Sequence, residues 1–264
     1  MPISSALSED NRLVLVVEGY PLALVNAIRR STILYTPVMA VDEVYVIENN
    51  SPLYDEMLAH RLGMIPFDSE EALTKYKRPE ECGPEDRDCS TKIYLVKKIE
   101  QGEPPTWVYT SEIKSDDPAV KPTSAEIPIV LLAPGQSVSL EAKLRLGYGI
   151  EHAKYIPVSV AVVRYYPKVE VSEDCVEAAE VCPKKVFSVE GDKVKVADET
   201  SCILCEECVK ACGDKVRISA VEDKYIFEIE STGVLRPKTI LREAIKSLRR
   251  KLEEFSQKVE VLRQ

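Results

Sequence analysis

Residues 138–146 read VSLEAKLRL, apolar at every second position. That period of two marks a strand with one buried face. Shorter stretches carry related signals. RLVLVV (Arg12–Val17), AVDEVYVI (Ala40–Ile47) and Lys92–Lys97 predict strands, and His152–Tyr166 ends in a run of strand formers. KVFSVEGDKVKV, between Cys182 and Cys202, predicts a β-hairpin turning at Gly191-Asp192. Helical spacing appears in PLALVNAIRRSTIL, where Pro21 suits a first helical position and Leu24, Val25 and Ile28 share a face. Thr36-Pro37 ends that helix. DEMLAHRLGMIPF (Asp55–Phe67) predicts a short helix stopped by Gly63 and Pro66. Residues 101–126 carry several prolines and are expected to form turns or a long loop.

The most regular pattern is the tail. Leu241, Ile245, Leu248, Leu252, Phe255, Val259 and Leu262 alternate spacings of four and three, and neither Gly nor Pro interrupts Lys238–Gln264. This is coiled-coil spacing on a long amphipathic helix. The seam could pack on a sheet of the same chain. A helix of about 25 residues runs about 38 Å, longer than a small sheet covers, so part of the seam is expected to meet another chain.

Composition narrows the function. Net charge is −9 and the sequence pI about 5.1, whereas a protein that grips phosphates shows basic patches and a high pI. Direct DNA binding is therefore not expected. No apolar run reaches membrane-spanning length and the N-terminus has no signal-peptide pattern, so a cytoplasmic protein without membrane contact is expected. There is no P-loop, GxSxG or HExxH, and no flavin, nicotinamide or haem motif. His60 and His152 stand alone and read as structural. No catalytic residue is assigned.

The chemistry lies in the cysteines, of which there are eight. SCILCEECVKAC (201–212) is a C-x2-C-x2-C-x3-C run, the bacterial-ferredoxin pattern. One loop can present three thiolates to a cubane, and the fourth ligand is usually a Cys-Pro elsewhere, here Cys182-Pro183. The expected cofactor is one [4Fe–4S] cluster on Cys182, Cys202, Cys205 and Cys208. Counting back from Cys182, a second run would need cysteine at 172, 175 and 178; the chain has Ser172, Cys175 and Ala178. A second cluster is thus not expected. A zinc site and metal-free structural thiols are the competing readings, although zinc sites usually pair two separated knuckles. In a two-cluster layout Cys175 and Cys212 would face the same lost cubane, so they are expected to form a disulfide, with two reduced thiols as the alternative. Cys82 and Cys89 could pair in the same way across their loop. Charged residues make up 30% of the chain, a lean toward thermophily, where intracellular disulfides are tolerated.

Three stretches resemble one family. NAIRRSTILYTPVMAVDEV (Asn26–Val44), DEMLAHRLGMIPF and HAKYIPV (His152–Val158) are similar to the α-type subunits of RNA polymerase. With the ferredoxin-like insertion, the chain resembles the D subunits of archaeal polymerases. The resemblance covers essentially the whole chain. It implies an α+β fold with a discontinuous α-type dimerisation domain (1–40 plus 223–264), a mostly β insert domain (41–166) and a small ferredoxin-like iron–sulfur domain (167–222). It also implies a heterodimer with the small L subunit, assembly with the two large subunits, and docking of the small subunits N and P. Asn26, Arg29 and Arg30 would lie near contacts with the large subunits, and Leu241, Ile245, Leu248, Leu252, Phe255 and Val259 would form the dimer seam. The implied role is non-catalytic assembly in transcription with a mainly structural cluster. A ferredoxin-like electron carrier and a redox-sensing regulator of polymerase assembly are the alternatives.

Overall fold

The computed structural model describes residues 3–83, 86–172 and 174–261. The chain opens with strands β1 (Ile3–Ser8) and β2 (Arg12–Glu18), helix α1 (Leu22–Leu34), strand β3 (Val38–Asn49) and helices α2 (Asp55–Gly63) and α3 (Ala72–Lys75). Five strands follow: β4 (Ser90–Lys98), β5 (Thr106–Tyr109), β6 (Lys114–Ser115), β7 (Pro128–Leu132) and β8 (Ser137–Gly147). Then come β9 (Val158–Val171), α4 (Glu177–Val181), the hairpin strands β10 (Phe187–Glu190) and β11 (Lys193–Val196), α5 (Glu207–Cys212), β12 (Val216–Ser231) and α6 (Pro237–Val261). Leu262 lies outside the described residues. Strand orders are β1-β2-β12-β9, β3-β8-β4-β6, β5-β7 and β10-β11. The chain forms two compact units, one of Met1–Leu7, Val14–Asn26 and Val162–Glu228, the other of Ser8–Leu13, Ala27–Ala161 and Ile229–Gln264.

The larger unit is organised by β8, the strand whose alternation is clearest. Val138, Leu140, Ala142, Leu144 and Leu146 are each at most 2% exposed. β8 pairs antiparallel with β3 on one side and β4 on the other, setting Leu140 opposite both Val46 and Leu95. Leu58 and Leu62 of α2, with Phe67 just after it, fill the same core. Gly63 closes α2, as its sequence predicts. The proline-rich stretch 101–126 is more ordered than expected. Within it, β5 pairs with β7, with Trp107 opposite Leu131 and Val108 opposite Val130. Val108 and Val130 are buried, and this burial orders a strand too short for its alternation to stand out among prolines.

Asp42 gathers a cluster of paired polar groups in this unit. Asp42 accepts from Arg145 Nε at 2.8 Å, Tyr155 Oη at 3.1 Å and Lys154 Nζ at 3.3 Å. Tyr155 is buried, and a side chain on Gly147 would overlap its ring. His152 Nδ1 accepts from the Lys154 N–H at 3.1 Å, capping the turn that presents both residues. This is a positioning role for a histidine that sequence read as structural.

α6 buries a different stripe from the seam its heptads suggest. Ile240, Glu243, Ala244 and Ser247 are buried, spaced i, i+3, i+4, i+7. The Ser31 hydroxyl of α1 donates to the Ala244 carbonyl at 2.7 Å. The seam itself stays largely open: Ile245, Leu252 and Phe255 are 46%, 60% and 67% exposed.

In the smaller unit, β10 and β11 form the predicted hairpin, with Phe187 opposite Val196 and Gly191 at φ +65° in the turn. Among the described residues no helix is long and apolar enough to cross a membrane.

Candidate functional site

The small core of the second unit is built around sulfur. Cys175, Cys202 and Cys208 are buried with Val169, Ala178, Val186, Phe187, Val194 and Val216. Four cysteines are free: Cys182 half-buried, Cys202 and Cys208 buried, Cys205 exposed. All four line one small pocket, together with Pro183, Phe187, Ile203 and Ile218. The structure thus brings together the four residues that the spacing singles out. α4 delivers Cys182 at its C-terminal end, and Cys208 sits in the first turn of α5.

The backbone around these sulfurs is unusual. Lys185, Leu204 and Glu206 have φ of 52°, 57° and 60°, left-handed values that cost a side-chain-bearing residue roughly 1–2 kcal/mol each. They buy a tight wrap of amides around the thiols. Leu204 N–H donates to Cys202 Sγ and Val186 N–H to Cys182 Sγ, both at 3.4 Å. Burial pushes the Cys202 and Cys208 thiols above their ordinary range; N–H donors from Leu204 and Val209 oppose this, and neighbouring cysteine sulfurs add to it. A bound cation would reverse that balance by favouring thiolates.

One residue of this site escaped the sequence reading. Arg164, a lone cation in the apolar run of β9, donates from Nη1 to the carbonyls of Thr200 at 2.7 Å and Cys202 at 3.2 Å. Glu199 accepts from the Val169 N–H at 2.8 Å. Together they tie the cysteine loop to β9. An arginine inside a run of strand formers was the available signal.

The remaining cysteines are joined as disulfides. Cys175 bonds Cys212 with Cα atoms 6.1 Å apart, and Cys82 bonds Cys89 with Cα atoms 5.9 Å apart. Cys175, Glu177 and Cys212 place donor atoms within 4.8 Å of one another. With the two sulfurs bonded to each other there is no thiolate to ligate a metal, so this trio is not a metal site in the disulfide form.

The residues expected at partner interfaces fall on surfaces of both kinds. Asn26 and Arg30 are exposed, while Arg29 is half-buried and donates to the Ala161 carbonyl at 3.4 Å. Leu241, Leu248 and Val259 are half-buried, and Ile245, Leu252 and Phe255 are exposed.

The β-rich insert defines the class. Residues 44–161 match the family model of the RNA polymerase Rpb3/RpoA insert domain. The chain is 38% identical to DNA-directed RNA polymerase subunit Rpo3 of Aeropyrum pernix, covering 94% of this chain and 92% of that one. It is 40% identical to Rpo3 of Pyrobaculum aerophilum, over 92% of this chain and 90% of that one. With DNA-directed RNA polymerase II subunit rpb3 of Dictyostelium discoideum it shares 32% identity, over 94% and 91%. The chain belongs to the Rpo3/Rpb3 family of α-type subunits of DNA-directed RNA polymerase, non-catalytic subunits of the transcription complex.

Proposed function

We propose that the chain is the D-type assembly subunit of an archaeal, cytoplasmic polymerase, and that its α6 seam pairs with a small L-type subunit. The heterodimer then forms the platform for the two large subunits and docks the small subunits N and P. The three-part division into a dimerisation domain, an insert domain and an iron–sulfur domain belongs to this reading, as do the contacts of Asn26, Arg29 and Arg30 with the large subunits. The observation that carries it is the open apolar face of α6: Ile245, Leu252 and Phe255 are exposed on a helix whose buried stripe lies elsewhere. Exposed apolar seams of this length mark association surfaces. Co-expression with the L-type subunit, followed by gel filtration, tests it. A stable complex at the heterodimer volume is expected, and two separate monomer peaks would sink the reading.

We also propose that Cys182, Cys202, Cys205 and Cys208 hold one [4Fe–4S] cluster. The donor set suits it: four free thiols on one pocket, with amide N–H groups aimed at sulfur. When bound, the cluster supplies metal–thiolate bonds that cross-link a unit with a small core. The protein's residues position the thiols, shield two of them from water and fix the loop through Arg164. This favours a structural role over an electron carrier. Iron and acid-labile sulfide analysis of anaerobically purified protein decides between iron–sulfur and zinc.

A further inference from the structure

The segment between α3 and β4 is closed on itself by Cys82–Cys89, and it grips α6 at two points. Arg78 Nη2 lies 2.6 Å from Glu243 Oε2, a carboxylate on the buried stripe of the helix. Glu80 accepts from the Tyr148 hydroxyl at 2.8 Å and forms an ion pair with Arg250. Arg250 in turn donates to the same hydroxyl at 3.2 Å. Glu243 and Arg250 are seven residues apart, about two turns along one face. The two ion pairs have opposite polarity, Arg to Glu and then Glu to Arg. Sliding or reversing the helix would set like charges together, so the segment specifies one register.

Among the described residues, this grip is close to the last hold on α6. Lys251 lies 4.1 Å from the centroid of the Tyr35 ring. From Leu252 to Val261 every residue is exposed except half-buried Val259. The direction in which Leu252 and Phe255 project is therefore set by the anchors at Glu243 and Arg250.

We propose that the Cys82–Cys89 disulfide is a redox-controlled clamp that fixes the exposed end of α6. Among the described residues, the other restraints inside the segment are non-covalent: the Glu81 N–H donates to the Arg78 carbonyl at 2.9 Å and the Cys82 N–H to the Pro79 carbonyl at 3.4 Å. Lys77 N–H donates to the Asp88 carbonyl at 3.0 Å, and Lys77 pairs with Asp86 at 3.1 Å between exposed side chains. Exposed pairs of this kind add little, and among the described residues the disulfide is the covalent restraint on the turn that carries Arg78 and Glu80. Cys82 is half-buried, within reach of thiol–disulfide exchange. A dithiol reductant breaks the one S–S bond, delivering two electrons and two protons. Two thiols result, and the dithiol leaves as its own disulfide. The segment then loosens and α6 frays back toward Glu243. The inference concerns this chain alone and holds whichever partner covers the seam.

The test is amide hydrogen exchange of the full chain without reductant, which leaves Cys175–Cys212 intact. In the Cys82→Ser/Cys89→Ser variant, amides of 243–261 are expected to exchange on the order of tenfold faster, with 175–212 unchanged. Glu80→Gln, with the disulfide intact, should reproduce the acceleration beyond Arg250. Should the double variant fold poorly, wild type titrated with dithiothreitol replaces it, with Cys175→Ser/Cys212→Ser as control. Acceleration must follow thiol labelling of Cys82 and Cys89. Unchanged exchange in 243–261, or acceleration that follows Cys175 and Cys212 instead, overturns the proposal.

Discussion

The guanidinium of Arg164 donates to the carbonyl of Cys202 at 3.2 Å and to that of Thr200 at 2.7 Å. A strand residue thereby holds the turn that carries the first thiol of the cysteine run. Hydrogen bonds from a charged donor contribute about 1.5–3 kcal/mol. Arg164→Ala is expected to lower the stability of the smaller, cysteine-bearing unit by that amount while the larger unit melts unchanged. Two-transition calorimetry reads the effect, and a shift in both transitions would place Arg164 elsewhere in the energetics.

Replacing Cys202 or Cys208 with Ser removes a buried thiol from the pocket. Iron content should fall to background, and limited proteolysis should cut within 167–222 while the rest of the chain stays whole. Cleavage kinetics equal to wild type in an iron-free variant would end the structural role assigned to the cluster. Zinc in place of iron in the wild type would leave the role and change the metal.

The two faces of α6 should respond differently to charge. Ile240 is buried and Leu252 is 60% exposed. Ile240→Glu should cost about 4 kcal/mol or more, the scale of an unpaired buried charge. Leu252→Glu should leave the isolated chain within about 0.5 kcal/mol of wild type yet block the heterodimer. Thermal melts of the isolated chain and gel filtration with the L-type subunit measure the two effects. Normal heterodimer formation by Leu252→Glu would remove this seam from the interface.

Asp42 ties acid stability to the larger unit. Burial raises its pKa, but the hydrogen bonds and charges of Arg145, Tyr155 and Lys154 outweigh that and hold it below the ordinary carboxylate value. A depressed folded-state pKa adds stability above the unfolded value of about 3.9, and that stability is lost as pH falls through the folded value. Urea midpoints of the wild type should therefore drop below about pH 4 more steeply than those of Asp42→Asn, which should be the weaker protein at pH 7. Parallel pH curves would show that the ion pair adds nothing.

Much of this protein was legible in its residue order. β8 declared its buried face because Val138, Leu140, Ala142, Leu144 and Leu146 alternate without exception. The hairpin at Gly191, the stop of α2 at Gly63 and the grouping of Cys182 with Cys202, Cys205 and Cys208 are local or motif-bound, so spacing alone specified them. Other features depend on contacts between distant residues, which spacing does not encode. The face α6 buries was decided by Ser31 and Arg78, which meet Ala244 and Glu243 across more than 160 residues. The short strand β5 exists because β7 pairs with it. Arg164 became part of the cysteine unit only when β9 was laid against the loop at Thr200. Tertiary packing chose among faces and partners that the local pattern had left equivalent.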